Sequence, residues 1–245
     1  MLLTSASLFR RPAPHYFSAV NTRVKELGAD HPDTLTTLAN LAWAYQAAGK
    51  LPEAIALYEG AATGIAKRRF QHEYSGRIIS NTIAAYEQAG QLEQAEGWRR
   101  QWLAVVKEQS GDESPAYAGE LAALGLNLLQ QKKWADAEAI LRKCLAIREK
   151  KQPNDWTTSN TQTMLGGALL GQKRHAEAEL LLLAGYEGMK QREDKIPKAN
   201  QIRLVEALER LVHLYDATGP KDKADTWRKR LDDAKAAAAP PAKKP

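Results

Sequence analysis

One small residue returns at near-constant intervals along this chain. Ala54, Ala95, Ala137, Ala178 and Ala224 lie 41, 42, 41 and 46 residues apart. Each sits in a similar segment: LPEAIALYEGA from Leu51, LEQAEGWRRQW from Leu92, WADAEAILRKCL from Trp134, HAEAELLLLAG from His175 and DKADTWRKRL from Asp222. Periods of about 20–50 residues mark stacked repeats, in which each unit buries its apolar face only against its neighbours. In the third segment Trp134, Ala137, Ile140, Leu141, Cys144 and Leu145 recur at three- and four-residue steps, so they share one face of a helix. The repeat therefore predicts an all-α chain, a right-handed solenoid of about five antiparallel helical hairpins.

The punctuation agrees. Pro32 steers His31 away from the helical region, and Asp33 or Thr34 is expected to cap the helix carrying Leu35, Leu38, Leu41, Ala42 and Tyr45. Gly49 ends it in the left-handed conformation, and Leu51 to Arg69 forms its partner. The second hairpin runs Arg77–Gln88 and Leu92–Glu108, with Gly90 where Gly49 stood and with Trp98 and Trp102 expected to bury together. The third runs Ala116–Leu129 and Trp134–Lys151, and the fourth Trp156–Leu170 and His175–Arg192, capped by Asp155. Gly166 and Gly167 lie inside a helix, where glycine costs about 1 kcal/mol against alanine, a cost that close helix approach offsets. The connector Lys195–Asn200 explains the 46-residue step before the last hairpin, Gln201–Tyr215 and Asp222–Ala234. Residues 1–20 are expected as a poorly ordered leader, 21–235 as the repeat domain, and 236–245, only Ala, Pro and Lys, as a disordered tail.

Composition narrows function. The net charge is +6, but four of those charges arise in Lys221–Pro245, where eight Lys or Arg face four Asp. Nucleic-acid binding needs a continuous basic stripe with stacking aromatics, and no such stripe is evident. No run is long enough to span a membrane. Cys144 is the only cysteine, so no disulfide forms within the chain, and its place on an apolar helix face makes it a packing residue. His15, His31, His72, His175 and His213 have no metal-ligand spacing. GGALLG (Gly166–Gly171) lacks the lysine and hydroxyl of a phosphate loop. No catalytic residue, metal or cofactor is expected, and one cysteine without a clear export signal favours the cytoplasm.

At this point a resemblance emerges. The triplets Leu41-Ala42-Tyr45, Thr82-Ile83-Tyr86, Leu124-Gly125-Leu128, Leu165-Gly166-Leu169 and Leu211-Val212-Tyr215, with the five alanines, resemble the tetratricopeptide repeat superfamily in its long, kinesin-light-chain-like form. HPDTLTTLANLAWAYQAAGKLPEAIALYE (His31–Glu59) carries the likeness furthest. Gly185, Arg99 and Arg228 depart from the pattern, and the two arginines are expected to send their heads to solvent. Residues 134–231 are also similar to the repeat regions that follow kinase domains in planctomycete-type bacterial serine/threonine kinases, although the chain has no kinase motif of its own.

The resemblance implies that first helices line a concave groove binding a protein or peptide, as a non-catalytic scaffold. Its candidate residues are Asn40, Trp43, Arg77, Asn81, Glu87, Leu126, Met164, Arg210 and His213. Asn40 and Asn81 share a repeat position and can each donate and accept to an extended backbone. Trp43 is the anchor candidate. Leu126, Leu129 and Met164 form an expected apolar floor, and Arg77 and Arg210 can meet carboxylates or phosphates. The alternatives are a regulatory repeat region of a larger kinase-like protein, or self-association of the terminal repeat through Trp227 and Leu231.

Overall fold

The computed structural model describes residues 14–219 and 221–238. The described residues form eleven α-helices and no strand. These are α1 (Pro14–Leu27), α2 (Pro32–Ala47), α3 (Leu51–Lys67), α4 (Ser75–Gln88), α5 (Leu92–Ser110), α6 (Pro115–Gln130), α7 (Trp134–Lys151), α8 (Trp156–Gly171), α9 (His175–Lys190), α10 (Ile202–Thr218) and α11 (Lys221–Ala238). The five expected hairpins are α2–α3, α4–α5, α6–α7, α8–α9 and α10–α11. The chain divides into two compact units, Met1–Val105 and Val106–Pro245, the boundary falling within α5. Among the described residues no helix is long and apolar enough to cross a membrane.

Helix ends follow local chemistry. His31 caps α2, its Nδ1 accepting from the Asp33 amide at 3.2 Å, so the cap is His31 rather than Asp33 or Thr34. Asp155 caps α8 through the Thr157 amide (2.8 Å), as expected, and Ser114, not singled out from sequence, caps α6 through the Tyr117 amide (3.1 Å). Gly49 and Gly90 turn with φ of 76° and 72°, and in the next two hairpins Lys132 (60°) and Lys173 (62°) take the same place without glycine. Two short 3-10 turns, Glu193–Lys195 and Lys198–Asn200, fill the long connector, and buried Ile196 pins it down. Helix α1 takes in residues 14–20 of the expected leader, and α11 takes in 236–238 of the expected tail. The rest of both stretches lies outside the described residues.

In the first unit Tyr58, Ile65, Ile78 and Ile79 are buried between α3 and α4 with Leu35 of α2. The Tyr58 hydroxyl donates to Gln46 Oε1 (3.2 Å), and Gln46 donates to Gln88 (2.6 Å), which ties α2 to α3 and α4. Trp98 and Trp102 pack on this core half-buried, with Trp102 edge-on to Phe70 at 6.0 Å. Arg99 does not reach for solvent; it pairs with Glu87 at 2.7 and 2.9 Å. Arg228, exposed, does, where it meets Asp216 and Asp225.

In the second unit successive helices pack α6 on α7, α7 on α8, α8 on α9, α9 on α10 and α10 on α11, with α8 also touching α6 and α10. Glycines set the closest approaches. A Cβ at Gly125 would stand 2.5 Å from a Leu141 methyl, one at Gly166 2.7 Å from Leu182, and one at Gly185 2.6 Å from the Ser159 carbonyl oxygen. Gly185, a departure from the repeat pattern, is thus the residue that lets α9 lie on the backbone of α8. Cys144 is fully buried as expected; its thiol donates to the Ala118 carbonyl at 3.2 Å, and burial pushes its pKa up. His175 is half-buried.

Candidate functional site

The second unit carries a cleft of about 410 Å³ lined by its first helices α6, α8 and α10, with Trp134 from the start of α7. One wall is apolar: Leu126 and Leu129 from α6, Trp134, and Leu170 from α8. The other is polar: Glu206, Arg210 and His213, spaced along one face of α10 at steps of four and three residues. Gly167 and Gly171 supply the room between them. A Cβ at Gly167 would stand 3.0 Å from both Cδ and Nε of Arg210, and one at Gly171 would overlap the Trp134 indole.

The charge in this cleft is unevenly shared. Arg203 Nη1 donates to Glu206 Oε1 at 2.6 Å, and Arg210 Nη2 reaches Glu206 Oε2 at 3.5 Å. Two cations therefore share one carboxylate. Glu209 is held by Lys235 at 2.9 Å and adds only a weaker, through-space attraction to Arg210. The Arg210 side chain is 16% exposed, and its Nη1 is shut away from solvent without a hydrogen-bond partner among the described protein atoms. Burial lowers the guanidinium pKa while Glu206 opposes the shift. An arginine in such a place still carries its charge at neutral pH. Chemically the cleft offers apolar contact on one side and a partly satisfied cation on the other. Among the described residues no group of three or more His, Cys, Asp and Glu side chains could hold a metal ion.

Of the residues singled out from sequence, Leu126, Arg210 and His213 come together here, joined by Leu129, Gly167 and Glu206. Met164 does not. It is 2% exposed, and its neighbours Asn160 and Thr163 are buried too, because α8 is packed by α6, α7, α9 and α10 and keeps little free face. Trp134, Leu170 and Gly171 were not legible as lining residues. The one sequence signal for them was a glycine at the end of α8, next to a helix-to-helix turn.

The remaining candidates lie in the first unit, on α2 and α4. Asn40 and Arg77 are exposed, Trp43 is 48% exposed, and Asn81 is half-buried. Arg77 lies over the Tyr74 ring at 4.6 Å. Glu87 is engaged by Arg99 and is not a free acid. Ala39, expected beside Asn40 in the groove, is buried.

Two models of the tetratricopeptide repeat match the sequence, at residues 15–63 and 121–151. Those two stretches, about a third of the chain, are tetratricopeptide repeats. No curated protein matches it. Among solved structures it is similar to BtubC (BKLC) from P. vanneervenii, at 17% identity and a TM-score of 0.67, covering 99% of this chain and 97% of that one. It is also similar to a Podosopora anserina protein named as a kinesin light chain with nearly identical TPR-like repeats, at 23% identity and a TM-score of 0.61, covering 76% and 94%. At these identities the likeness is one of fold.

Proposed function

We propose that this protein is an interaction scaffold whose second-unit cleft takes a short segment of a partner protein. The segment puts an apolar side chain against Leu126, Leu129, Trp134 and Leu170 and an acidic group beside Arg210. The observation that supports this reading is the cleft's imbalance: Arg203 and Arg210 share the carboxylate of Glu206, and Arg210 Nη1 has no acceptor among the described residues. A buried donor without a partner costs about 1–3 kcal/mol, so an incoming carboxylate that supplies the acceptor is favoured over an apolar group alone. The exposed Trp43, Asn40 and Arg77 of the first unit offer a second contact surface of the same kind.

The test is an array of peptides pairing one large apolar residue with Asp or Glu, probed with the full chain and with Arg210→Gln. Glutamine keeps the length of the side chain but not the charge. The acidic peptides bind the natural chain and lose about tenfold in affinity with the variant, whereas versions with Asn and Gln bind both alike. Equal binding of acidic peptides by both proteins, with helical content unchanged, rejects the cleft as the site. The role of a regulatory repeat region beside a kinase domain rests on the resemblance of residues 134–231 alone. Self-association through Trp227 and Leu231 is disfavoured, because both side chains are buried and Trp227 stacks against Tyr215 and meets Tyr186 edge-on.

A further inference from the structure

The second unit carries another hollow, of about 840 Å³, between α9 and α11. Leu204, Val205 and Leu208 of α10 are nearly buried and form its floor, and Ile202, 51% exposed, stands at its mouth. Two features of the sequence keep it open. Residues 191–201 join α9 to α10, a longer stretch than 152–155 between α7 and α8. Ala237 gives the α11 wall only a methyl group, where the earlier repeats place Lys67, Glu108, Lys150 and Gln191.

Helix α1 of the first unit has the complementary form. Phe17 is 59% exposed, Val24 40% and Leu27 44%. With half-buried Val20 they follow at steps of three, four and three residues, one stripe along the helix. Phe17 to Val24 spans about 10 Å, and α10 lines the hollow from Ile202 to Leu208 over about 9 Å. The charges match as well. On the rim of the hollow Lys190 is paired with Glu193 at 2.7 Å and Arg230 with Glu187 at 4.0 Å. That leaves Asp233 on the α11 side and Lys198 on the connector side, both exposed and with no ion-pair partner among the described residues. On α1, Arg23 is held by Asp33 at 3.6 Å. Lys25 and Glu26 are exposed with no ion-pair partner among the described residues, and the helical turn sets them on opposite flanks of the stripe.

We propose that the hollow receives helix α1 of a second copy of the chain. Phe17 and Val24 lie on the floor made by Leu204, Val205 and Leu208, and Lys25 and Glu26 meet Asp233 and Lys198. A helix laid by its apolar face into a groove between two others is a recurrent mode of recognition. Apolar burial supplies the attraction, and the exposed ion pairs add little energy but fix the direction of the incoming helix. The two surfaces differ, so the contact is head-to-tail, and each copy keeps one free groove or one free α1 for the next. One helix face in one groove buries on the order of 1,000 Å² or less, the range of transient contacts, so association is weak and concentration-dependent.

The experiment is sedimentation of the full chain from about 10 μM to about 1 mM, with two double variants. Phe17→Gln, Val24→Gln removes the stripe and keeps the groove; Ile202→Lys, Ala237→Arg blocks the groove and keeps the stripe. All four positions are exposed, so helical content is unchanged. The average mass of the natural chain rises with concentration, each variant alone stays a monomer, and the two mixed form a one-to-one complex that grows no further. Should a double variant unfold, charge reversal replaces it: Lys25→Glu weakens association about threefold, and adding Asp233→Lys restores it. A natural chain that stays monomeric throughout overturns the proposal, as do variants that associate like the natural chain or a mixture that remains monomeric. Loss of association with the stripe variant alone, the groove variant still pairing, also overturns it and assigns the contact to α1 against α1.

Discussion

Gly185 and Gly97 carry the same residue to opposite ends. At Gly185 a new Cβ would sit 2.6 Å from the Ser159 carbonyl oxygen and 2.9 Å from the Thr163 nitrogen, both backbone atoms that cannot swing aside. Gly185→Ala should therefore cost about 1–3 kcal/mol, read as a fall in the urea midpoint. Gly97, inside α5, has nothing within 4 Å of a Cβ, so Gly97→Ala should raise stability by about 0.5–1 kcal/mol. A second contrast lies between Arg148 and Thr161. Arg148 is buried, and its Nη1 donates to the Thr157 carbonyl and the Thr161 hydroxyl, both at 2.7 Å, while its Nε has no partner. Burial lowers its pKa, with Cys144 and Asp155 opposing. Arg148→Met removes a badly solvated charge and should be near neutral or stabilising. Thr161→Val leaves that charge short of an acceptor and should cost about 1–3 kcal/mol in the same titration. Sequence marked Gly185 as an anomaly but not its cause, because the atom it avoids belongs to another helix.

Between elements, one carboxylate holds three helices in register. Glu138 of α7 accepts from Gln172 (2.8 Å) and Arg174 (2.8 Å) in the turn joining α8 to α9, and from Arg142 one turn along α7. Burial pushes its pKa up, but the bonds from Gln172, Arg142 and Arg174 outweigh it and the net shift is down. A carboxyl lowered on folding contributes stability that is fully present above the ordinary glutamate range. That contribution fades as pH falls through the lower folded-state value. Unfolding midpoints between about pH 7 and pH 3.5 should thus fall less steeply for Glu138→Gln than for the natural chain, with the natural chain the more stable at neutral pH. Equal slopes would remove Glu138 from the account of acid sensitivity. The helices themselves were legible in the apolar steps and breakers, and most bounds were right within a few residues. The His31 cap was not, since a histidine nitrogen acts as a cap only when the backbone places it.

For the molecule as a whole, stability should be local. Each hairpin packs on its chain neighbours within its own unit. In such stacks a perturbation is felt by adjacent repeats and fades beyond them. Gly185→Ala should speed amide exchange in α8 and α9 and leave α2, α3 and α4 unchanged; a uniform rise along the chain would mean one cooperative unit instead.

The repeat length, the hairpin order, the burial of Cys144 and the need for close approach at Gly166 and Gly167 followed from sequence, because each is written in local periodicity and in residue size. The composition of the cleft did not. Leu126, Arg210 and His213 share it through the register of α6 against α10. Met164 falls outside it because four helices close around α8, and Trp134 enters it because Gly171 gives its ring room. Those outcomes depend on which side chains meet across helices some 40 to 90 residues apart in sequence, and only the packed structure determines that.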